Sequence, residues 1–294
     1  MKRVESLLRR ASVSWAFIFN RQKLNRKRTR VLPADYAPTI SVVIPALNEA
    51  ENLPSVLPLI PSWIDEVILV DGHSSDSTVD VARELLPSIC IVQQSGRGKG
   101  DALRSGFAAA TCDIIIMLDA DGSTDPREIP AFVSVLSNGA DFAKGSRFAR
   151  GGGTADMPLY RQMGNWCFVM LVRLLYGGSY TDLCYGYNAF WADVLPALRL
   201  DSDGFEIETL MNVHALQARL NVVEVPSFED KRRYGTGHLR AIPDGWRVMK
   251  TIFREWLGPH RRSARTVPAR SEPTLTGVNS PDTIGVPQTM EAKN

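Results

Sequence analysis

The sequence predicts an α/β protein with a doubly wound, mostly parallel central sheet that is flanked by helices. Short runs of apolar residues, rich in the β-branched type, recur along the chain and are typical of strands buried inside such a sheet. Segments of about ten to fifteen residues with helical spacing of apolar positions alternate with these runs. Each run ends in polar or turn-forming residues, which predicts a ligand crevice along one edge of the sheet.

The first half of the chain contains five of these runs. The predicted strands are 40–45, 66–70, 89–93, 114–118 and a fifth that begins at 140–143. The predicted helices are 76–86, 98–110 and one that starts at 125. Asp76 is expected to cap the first of these helices, and Asp125-Pro126 to start the last one. Asn48, with Glu51 three residues later, predicts a further helix cap after the first strand.

The second half begins with a glycine-rich loop. Residues 151–154 (GGGT) are expected to be a flexible loop beside the polar edge and a candidate lid. Residues 158–176 predict a helix rich in aromatic and aliphatic side chains, which is expected to pack in the core rather than on a membrane or lipid tail. The remaining predicted elements are strands 187–191 and 221–225 and helices 205–220 and 244–257.

Composition divides the chain into a basic N-terminal arm (1–38), a main domain (39–258) and a disordered tail (259–294) that is rich in Pro, Ser, Thr, Arg and Gly. Residues 1–30 hold ten Lys and Arg against one acid, Glu5, whereas the remaining 264 residues hold 24 basic and 31 acidic side chains. Such an arm predicts an amphipathic helix with an anionic membrane surface as partner, and the alternative is a disordered basic arm that binds nothing in particular. No nucleic-acid-binding module follows it, so no nucleic-acid partner is expected.

Two further features bear on the compartment. No stretch approaches about 18 uninterrupted apolar residues, so no transmembrane segment is expected. The four cysteines form no CxxC pair and predict reduced thiols in a cytosolic protein rather than a zinc site. The expected location is therefore cytoplasmic, with peripheral contact to the membrane.

The run at 114–118 is followed by Asp119-Ala120-Asp121-Gly122. A strand that ends in this way leaves two carboxylates at the carboxyl edge of the sheet, where α/β proteins bind their ligands. Two hard oxygen ligands suit Mg²⁺ or Mn²⁺, with substrate phosphates and water completing the coordination. An aspartate-rich turn that closes a core strand is the alternative interpretation.

Four motifs occur in order along the predicted polar edge. They are 43–49 (VIPALNE), 70–76 (VDGHSSD), 96–102 (GRGKGDA) and 118–122 (LDADG). The series resembles the inverting family 2 glycosyltransferases, which have the GT-A fold, and the match covers roughly residues 40–240. Two later segments, 145–148 (GSRF) and 232–235 (RRYG), are most similar to dolichyl- or polyprenyl-phosphate hexose synthases. The resemblance implies a metal-dependent transferase that moves a hexose from a nucleoside-diphosphate sugar to a polyprenyl phosphate at the cytoplasmic membrane surface.

The resemblance also implies that residues 39–147 bind a UDP- or GDP-sugar donor. The implied donor-binding residues are Pro45, Asn48, Glu49, Asp71, Lys99, Gly100, Asp101, Asp119, Ala120 and Asp121. Carboxylates suit this task because they accept hydrogen bonds from ribose hydroxyls and base N–H groups, and Lys99 suits a phosphate or a base carbonyl. Asp119 and Asp121 would hold the Mg²⁺ or Mn²⁺ ion, which neutralises charge on the leaving diphosphate.

Residues 148–258 would bind the acceptor. A phosphate monoester, with a second pKa of about 6, is mostly ionised at neutral pH and needs orienting cations rather than a base. The candidate cations are Arg147, Lys231 and Arg232, with Arg233, Arg150 and Arg161 behind them. A hydroxyl acceptor would instead need a carboxylate base, for which Glu206 and Glu208 are the candidates. These two share a face on a strand but not on a helix, so at most one is expected to reach the substrate. Asp182 also matches a family position on the acceptor side.

Two positions depart from the lipid-phosphate pattern. Ser123 stands where a glutamine is usual, and Gly237-His238 stand where Ser-Lys is usual. Two alternatives therefore stay open, a family 2 enzyme with a soluble phosphorylated or glycan acceptor, and a non-catalytic module that binds a nucleotide sugar. The oligomeric state is open as well. A sugar nucleotidyltransferase is disfavoured, because no glycine-rich loop follows the first strand.

Overall fold

The computed structural model describes residues 30, 32–33, 36–237 and 239–258. The expected amphipathic helix within residues 1–30, the expected disordered tail (259–294) and His238 lie outside the described residues, apart from Arg30. The division into arm, domain and tail stays a prediction.

The centre of the described part is a seven-stranded sheet. In spatial order its strands are β3 (Cys90–Gln93), β2 (Glu66–Asp71), β1 (Ile40–Ala46), β4 (Ile114–Met117), β7 (Asn188–Trp191), β5 (Phe142–Ser146) and β8 (Val222–Pro226). Strand β7 runs antiparallel to both neighbours, and every other pair in this sheet is parallel. A separate two-stranded ribbon pairs β6 (Gly153–Thr154) with β9 (Phe228–Glu229).

Helices connect the strands and cover the sheet. They are α1 (Thr78–Leu85), α2 (Lys99–Ala109), α3 (Ile129–Ser137), α4 (Leu159–Tyr176), α5 (Leu195–Leu198), α6 (Glu206–Gln217) and α7 (Ala241–Leu257). This architecture confirms the predicted doubly wound, mostly parallel α/β fold. None of the helices in the described ranges combines the length and apolar character needed to cross a bilayer.

Strand β4 lies at the middle of the core. All four of its residues are buried, and it pairs in parallel with β1 on one side and antiparallel with β7 on the other. Because both of its faces are covered, β-branched residues are favoured at every position rather than at alternate ones. The chain then leaves the sheet at Leu118, which carries Asp119 to the carboxyl edge.

A second apolar cluster joins three helices of the domain. It contains Val169 and Val172 of α4, Val213 of α6, and Val248 and Ile252 of α7. The Tyr176 hydroxyl donates a hydrogen bond to the Ile252 carbonyl oxygen at 2.5 Å, which ties the end of α4 to α7. This cluster covers only one face of α4.

The predicted helix cap at Asn48 is wrong. Asn48 has a left-handed backbone (φ 55°), and its side-chain oxygen accepts a hydrogen bond from the Ser75 amide at 2.8 Å. Two short 3₁₀ turns follow instead, each with a proline, Pro54 and Pro58. Prolines spaced in this way remove helix hydrogen-bond donors and oppose a continuous α-helix.

Two other elements also differ from prediction. The loop 151–154 is in part ordered, because Gly153–Thr154 pairs with β9. The element that starts at Pro126 is first a 3₁₀ turn, with Asp125 accepting a hydrogen bond from the Arg127 amide, and becomes α-helical only at Ile129.

We predict opposite effects from two alanine substitutions in helices. A Cβ atom at Gly106 of α2 would lie 2.8 Å from Val70 Cγ2 and even closer to Val43, whereas a Cβ atom at Gly164 of α4 would meet nothing within 4 Å. Gly106→Ala should therefore lower the free energy of unfolding by about 1–3 kcal/mol. Gly164→Ala should leave it unchanged or raise it by up to about 1 kcal/mol. Urea denaturation of both variants measures the difference, and equal effects would contradict the close packing of α2 on the sheet.

Candidate functional site

The polar ends of the parallel strands meet at one edge of the sheet, as predicted. Glu49 follows β1, Asp71 ends β2, and Asp119 and Asp121 follow β4. Strands β1, β2 and β4 are adjacent and parallel, so their carboxyl ends necessarily lie side by side. The site is built at this edge.

Lys99 joins two of the predicted carboxylates. Its Nζ atom lies 2.6 Å from Asp119 Oδ1 and 2.7 Å from Glu208 Oε1. Lys99 is the first residue of α2, and Glu208 lies in the first turn of α6, so this contact joins the two halves of the domain. Burial alone would lower the pKa of Lys99, but the carboxylates of Asp119 and Glu208 raise it above its ordinary value. Lys99 is therefore a fixed positive charge.

Glu208 is the more deeply buried of the two carboxylates. Burial raises its pKa, and the neighbouring Lys99 ammonium opposes this effect only in part. Its side chain is 7% exposed, compared with 26% for Asp119. A proton-accepting group with a raised pKa thus lies beside a cation at the wall of the site.

Gly186 allows the loop before β7 to approach this ion-paired group. A Cβ atom at this position would lie 2.8 Å from Glu208 Oε1, 2.8 Å from Lys99 Nζ and 2.9 Å from Asp119 Oδ2. Any larger residue would therefore displace the charged groups. Sequence reasoning missed Gly186, because its requirement for glycine arises only from contacts made across the fold.

Arg232 joins the other two carboxylates. Its Nη2 atom donates to both oxygens of Glu49 at 2.7 Å, and its Nη1 atom lies 3.3 Å from Asp121 Oδ2. The side chain of Glu49 also accepts a hydrogen bond from the Asn52 side-chain amide, Nδ2, at 2.7 Å. Burial raises the pKa of Glu49, against the lowering effect of Arg232. Arg232 thus holds the segment after β9 against the edge of the sheet.

Asp119 and Asp121 have the donor chemistry for a divalent ion. The described part of the chain contains no group of three or more His, Cys, Asp or Glu residues that could hold a metal. Mg²⁺ sites of the phosphate-binding type use only one or two carboxylates, because substrate phosphates and water supply the other ligands. Ser123 donates to Asp121 Oδ1 from its amide at 3.0 Å and from its hydroxyl at 2.7 Å, so it orients that carboxylate. The two aspartates fit an ion that binds together with a diphosphate.

Several of the predicted donor-binding residues also shape the loops of the site. Asp71 accepts hydrogen bonds from the Ser74 amide and, at 3.0 Å, from Gln93. Asp101 is buried and accepts from the Gly96 amide at 2.7 Å, which closes the glycine-rich loop onto α2.

Three further residues that are predicted to bind the nucleotide sugar contribute their backbone to the same edge of the sheet. Gly100 donates from its amide to the Asp203 carbonyl at 2.8 Å, and a side chain there would collide with Ser202. Pro45 lies within β1, and Ala120 is buried between the two aspartates.

Arg147 does not lie among these ion pairs. Its guanidinium group is 1% exposed and contacts Asp182 at 2.7 Å and Glu229 at 3.0 Å. Burial opposes the charge on Asp182, but Arg147 lowers the pKa of this carboxyl below its ordinary value of 3.8. The expectation of an acceptor cation at Arg147 therefore differs from the structure, because this side chain is buried and is paired with the buried Asp182 and the partly buried Glu229. Through Glu229 of β9, Arg147 instead fixes the start of the segment that carries Arg232.

Glu206 and Glu208 point in different directions, as expected for neighbours on a helix. Glu208 faces Lys99, whereas Glu206 lies beside Gly204, whose amide donates to Glu206 Oε1 at 3.4 Å. The other oxygen of Glu206 is buried and has no hydrogen-bond partner in the described part of the chain. Of the two candidate bases, only Glu208 contacts the ion-paired residues at the edge.

Comparison with known proteins gives one family match and several relatives. Residues 41–198 match the model of "Glycosyl transferase family 2". The dolichol-phosphate mannosyltransferase of Pyrococcus furiosus is 31% identical over 73% of this chain and 60% of that protein. The undecaprenyl-phosphate mannosyltransferase of Micrococcus luteus is 31% identical over 67% of this chain and 85% of that protein. The chain thus spans less than two thirds of the first of these relatives.

Solved structures show the same fold. Glucosyl-3-phosphoglycerate synthase from Mycobacterium tuberculosis, in complex with Mn²⁺, UDP and glucosyl-3-phosphoglycerate, superposes with a TM-score of 0.60 and 22% identity. The superposition covers 79% of this chain and 88% of that one. At this level of identity the likeness concerns the fold alone.

We predict that breaking the buried Arg147–Asp182 pair strongly destabilises the fold. Asp182→Asn should lower the free energy of unfolding by about 3 kcal/mol or more, because it leaves a buried guanidinium poorly compensated. The exposed Arg254–Asp201 pair, with 51% and 65% of the side chains exposed, provides the matched control. Asp201→Asn should lower the free energy of unfolding by less than about 1 kcal/mol.

The same pair predicts a pH dependence. The pKa of Asp182 is lowered in the folded protein, so its contribution is present above the ordinary value of 3.8 and is lost as the pH falls through the lowered pKa. The difference in stability between wild type and Asp182→Asn should therefore narrow under strongly acidic conditions, as measured by denaturation at a series of pH values. A difference that stays constant with pH would show that Asp182 is not ionised in the folded protein.

Proposed function

Because the chain belongs to glycosyl transferase family 2, we propose that it transfers a hexose from UDP- or GDP-sugar to a polyprenyl phosphate. One observation carries the proposal: Lys99 of the glycine-rich motif (96–102) directly contacts Asp119 of the motif 118–122. Both motifs lie at the sheet edge where the resemblance places a nucleotide sugar. The names of the relatives support a lipid phosphate, since two are called dolichol-phosphate and undecaprenyl-phosphate mannosyltransferase and a third is called polyprenol monophosphomannose synthase.

We propose that the donor lies along the carboxyl edge of β1, β2 and β4. Asn48, Glu49 and Asp71 would accept hydrogen bonds from its base and ribose, beside the backbone of Pro45 and Ala120. Lys99 would contact its phosphates, with Gly100 and Asp101 holding the loop in place.

Asp119 and Asp121 are proposed to hold Mg²⁺ or Mn²⁺. When bound, the ion supplies positive charge to the diphosphate that leaves as the bond to the anomeric carbon breaks. A protein of the same fold, the synthase from Mycobacterium tuberculosis, has been crystallised with Mn²⁺ or Mg²⁺ and UDP, which is compatible with a divalent ion in this chain. Lys99 adds a permanent positive charge beside Asp119, and Arg232 adds another beside Asp121.

The acceptor phosphate is proposed to bind at Arg232 and Lys231. A phosphate monoester is mostly ionised at neutral pH, so its oxygen attacks without first losing a proton to a strong base. The Nε and Nη2 atoms of Arg232 already donate to the Tyr234 carbonyl and to Glu49, so Nη1, which lies 3.3 Å from Asp121 Oδ2, would donate to the phosphate. In this reaction Glu208 would hold Lys99 in place, and Arg147 would position the Arg232 segment through Glu229.

A soluble acceptor with a hydroxyl nucleophile is the second candidate function. The raised pKa of Glu208, which results from burial, supports this candidate. A protein of the same fold, glucosyl-3-phosphoglycerate synthase, has been crystallised with phosphoglyceric acid. A hydroxyl must lose its proton during transfer, and Glu208 is the carboxylate that would accept it. A non-catalytic module would bind the donor and transfer nothing.

We predict the following result for an acceptor panel. Transfer of radiolabelled hexose from UDP- and GDP-sugars should occur to a polyprenyl phosphate, and not to the free polyprenol or to phosphoglyceric acid. Arg232→Gln should lower kcat/KM for the lipid phosphate about tenfold to hundredfold, because a charge-assisted hydrogen bond is lost. Arg83→Gln, an exposed site on α1, is the matched control and should change it less than about twofold.

Three outcomes would contradict the proposal. Preferential transfer to phosphoglyceric acid would favour the soluble-acceptor function. Donor binding without transfer to any acceptor would favour the binding module. Equal effects of the two arginine substitutions on kcat/KM would show that Arg232 does not bind the acceptor.

A further inference from the structure

Helix α4 is apolar on the face that it turns to solvent. Its exposed apolar side chains are Leu159 (71%), Tyr160 (64%), Met163 (62%), Trp166 (63%), Met170 (43%) and Leu174 (63%). Their spacing of three and four residues forms one continuous stripe. The opposite face, with Val169 and Val172, already packs in the apolar cluster. An exposed stripe of this size marks an interaction surface rather than an ordinary protein surface.

Helix α7 has a mixed exposed face. Its exposed apolar residues are Ile242 (85%), Trp246 (60%), Phe253 (39%), Trp256 (37%) and Leu257 (71%). Arg247, Lys250 and Arg254 are exposed between them. The two acids of this helix contribute little negative charge to its exposed face, since Asp244 is buried and Glu255 pairs with His214 and Arg254. The exposed charges that α7 itself carries in the described structure are therefore positive, although Arg247 contacts Asp244 at 3.5 Å and Arg254 contacts Asp201 at 3.0 Å.

The two helices pack side by side. Val169 and Val172 of α4 share one apolar cluster with Val248 and Ile252 of α7. The Phe168 ring lies 3.7 Å from the position that a Cβ atom of Gly245 would take, so the helices are in close contact along this line. The exposed stripe of α4 and the exposed face of α7 thus border one another, and we call them together the α4–α7 face.

We propose that the α4–α7 face docks on an anionic lipid surface. Aliphatic side chains suit the acyl boundary, and tryptophan and tyrosine suit the headgroup level. Arg247, Lys250 and Arg254 suit lipid phosphates, and the basic composition of residues 1–30 favours the same partner. The sequence pattern of residues 158–176 predicts core packing, which describes only the inner face of this helix.

A second copy of the chain fits this face less well than lipid does. In a two-fold symmetric contact the same patch meets itself, so Arg247, Lys250 and Arg254 would approach the same three cations of the partner. Anionic headgroups instead neutralise them. The charge pattern therefore favours lipid over self-association.

The α4–α7 face is connected to the candidate site through the start of α6. Arg247 of α7 lies beside Gly204, with its Nη1 atom 3.2 Å from the position of a Cβ atom there, and Gly204 lies two residues before the start of α6. Glu208, in the first turn of α6, contacts Lys99. This inference rests on the proposed function in one respect: docking through this face would bring a lipid-borne phosphate next to the site.

Vesicle binding of the full chain, without donor or acceptor, tests the proposal. We would measure sedimentation with phosphatidylcholine vesicles and with vesicles that also contain phosphatidylglycerol. A salt concentration of about 0.5 M screens the long-range attraction of the basic arm. Under these conditions the double variant Trp166→Ser/Trp246→Ser should bind the anionic vesicles about tenfold or more weakly than wild type.

Two further variants serve as controls. Trp63→Ser removes a comparably exposed tryptophan (49%) outside α4 and α7, and should change binding less than about twofold. Lys250→Glu should weaken binding to the anionic vesicles at low salt and leave binding to phosphatidylcholine unchanged. Unchanged thermal unfolding of each variant confirms that it folds.

Two outcomes would overturn the proposal. One is equal vesicle binding by wild type and the double variant, which would assign binding to the rest of the chain. The other is a concentration-dependent dimer that the double variant abolishes while vesicle binding persists. Failure of the proposed function is seen separately, as absent transfer to a water-soluble short-chain polyprenyl phosphate by the wild type.

Discussion

The site depends on the pairing of four clustered carboxylates with two cations, which leaves an excess of negative charge. Glu49, Asp119, Asp121 and Glu208 converge at the edge of the sheet, where like charges repel, and burial raises the pKa of Glu49 and of Glu208. Lys99 pairs with Asp119 and Glu208, and Arg232 pairs with Glu49 and Asp121. Because each cation joins acids from different parts of the chain, the charge balance of the site is also what holds its loops together.

This constraint explains the surroundings of the ion pairs. Gly186 and Gly100 lack side chains where the backbone approaches Lys99 and its helix, so the cation is held close to its partners. A second buried group, Arg147 with Asp182 and Glu229, secures the ribbon of β6 and β9 from which the Arg232 segment departs. The positions of the two cations thus depend on packing and charge well outside the residues proposed to meet substrate.

Much of the sheet could be predicted from sequence, because buried parallel strands have a strong local signature. The run at 114–117, with two aspartates just beyond it, is the clearest example. Contacts between distant residues had no such signature. The Lys99–Glu208 pair joins residues 109 positions apart, and the burial of Arg147 follows from partners at 182 and 229. Asn48 was assigned to a helix cap because its neighbours fit a local pattern, whereas its side chain bonds to Ser75.

The central claim is that Asp119 and Asp121 hold a divalent ion together with a nucleotide sugar. Calorimetric titration of UDP- and GDP-sugars, with and without Mn²⁺, tests it most directly in wild type, in Asp119→Asn/Asp121→Asn and in the exposed control Asp80→Asn. We predict that wild type and control bind one of these donors only when Mn²⁺ is present, and that the double variant does not bind it under either condition. Donor binding of equal strength with and without Mn²⁺, or unchanged in the double variant, would contradict the claim.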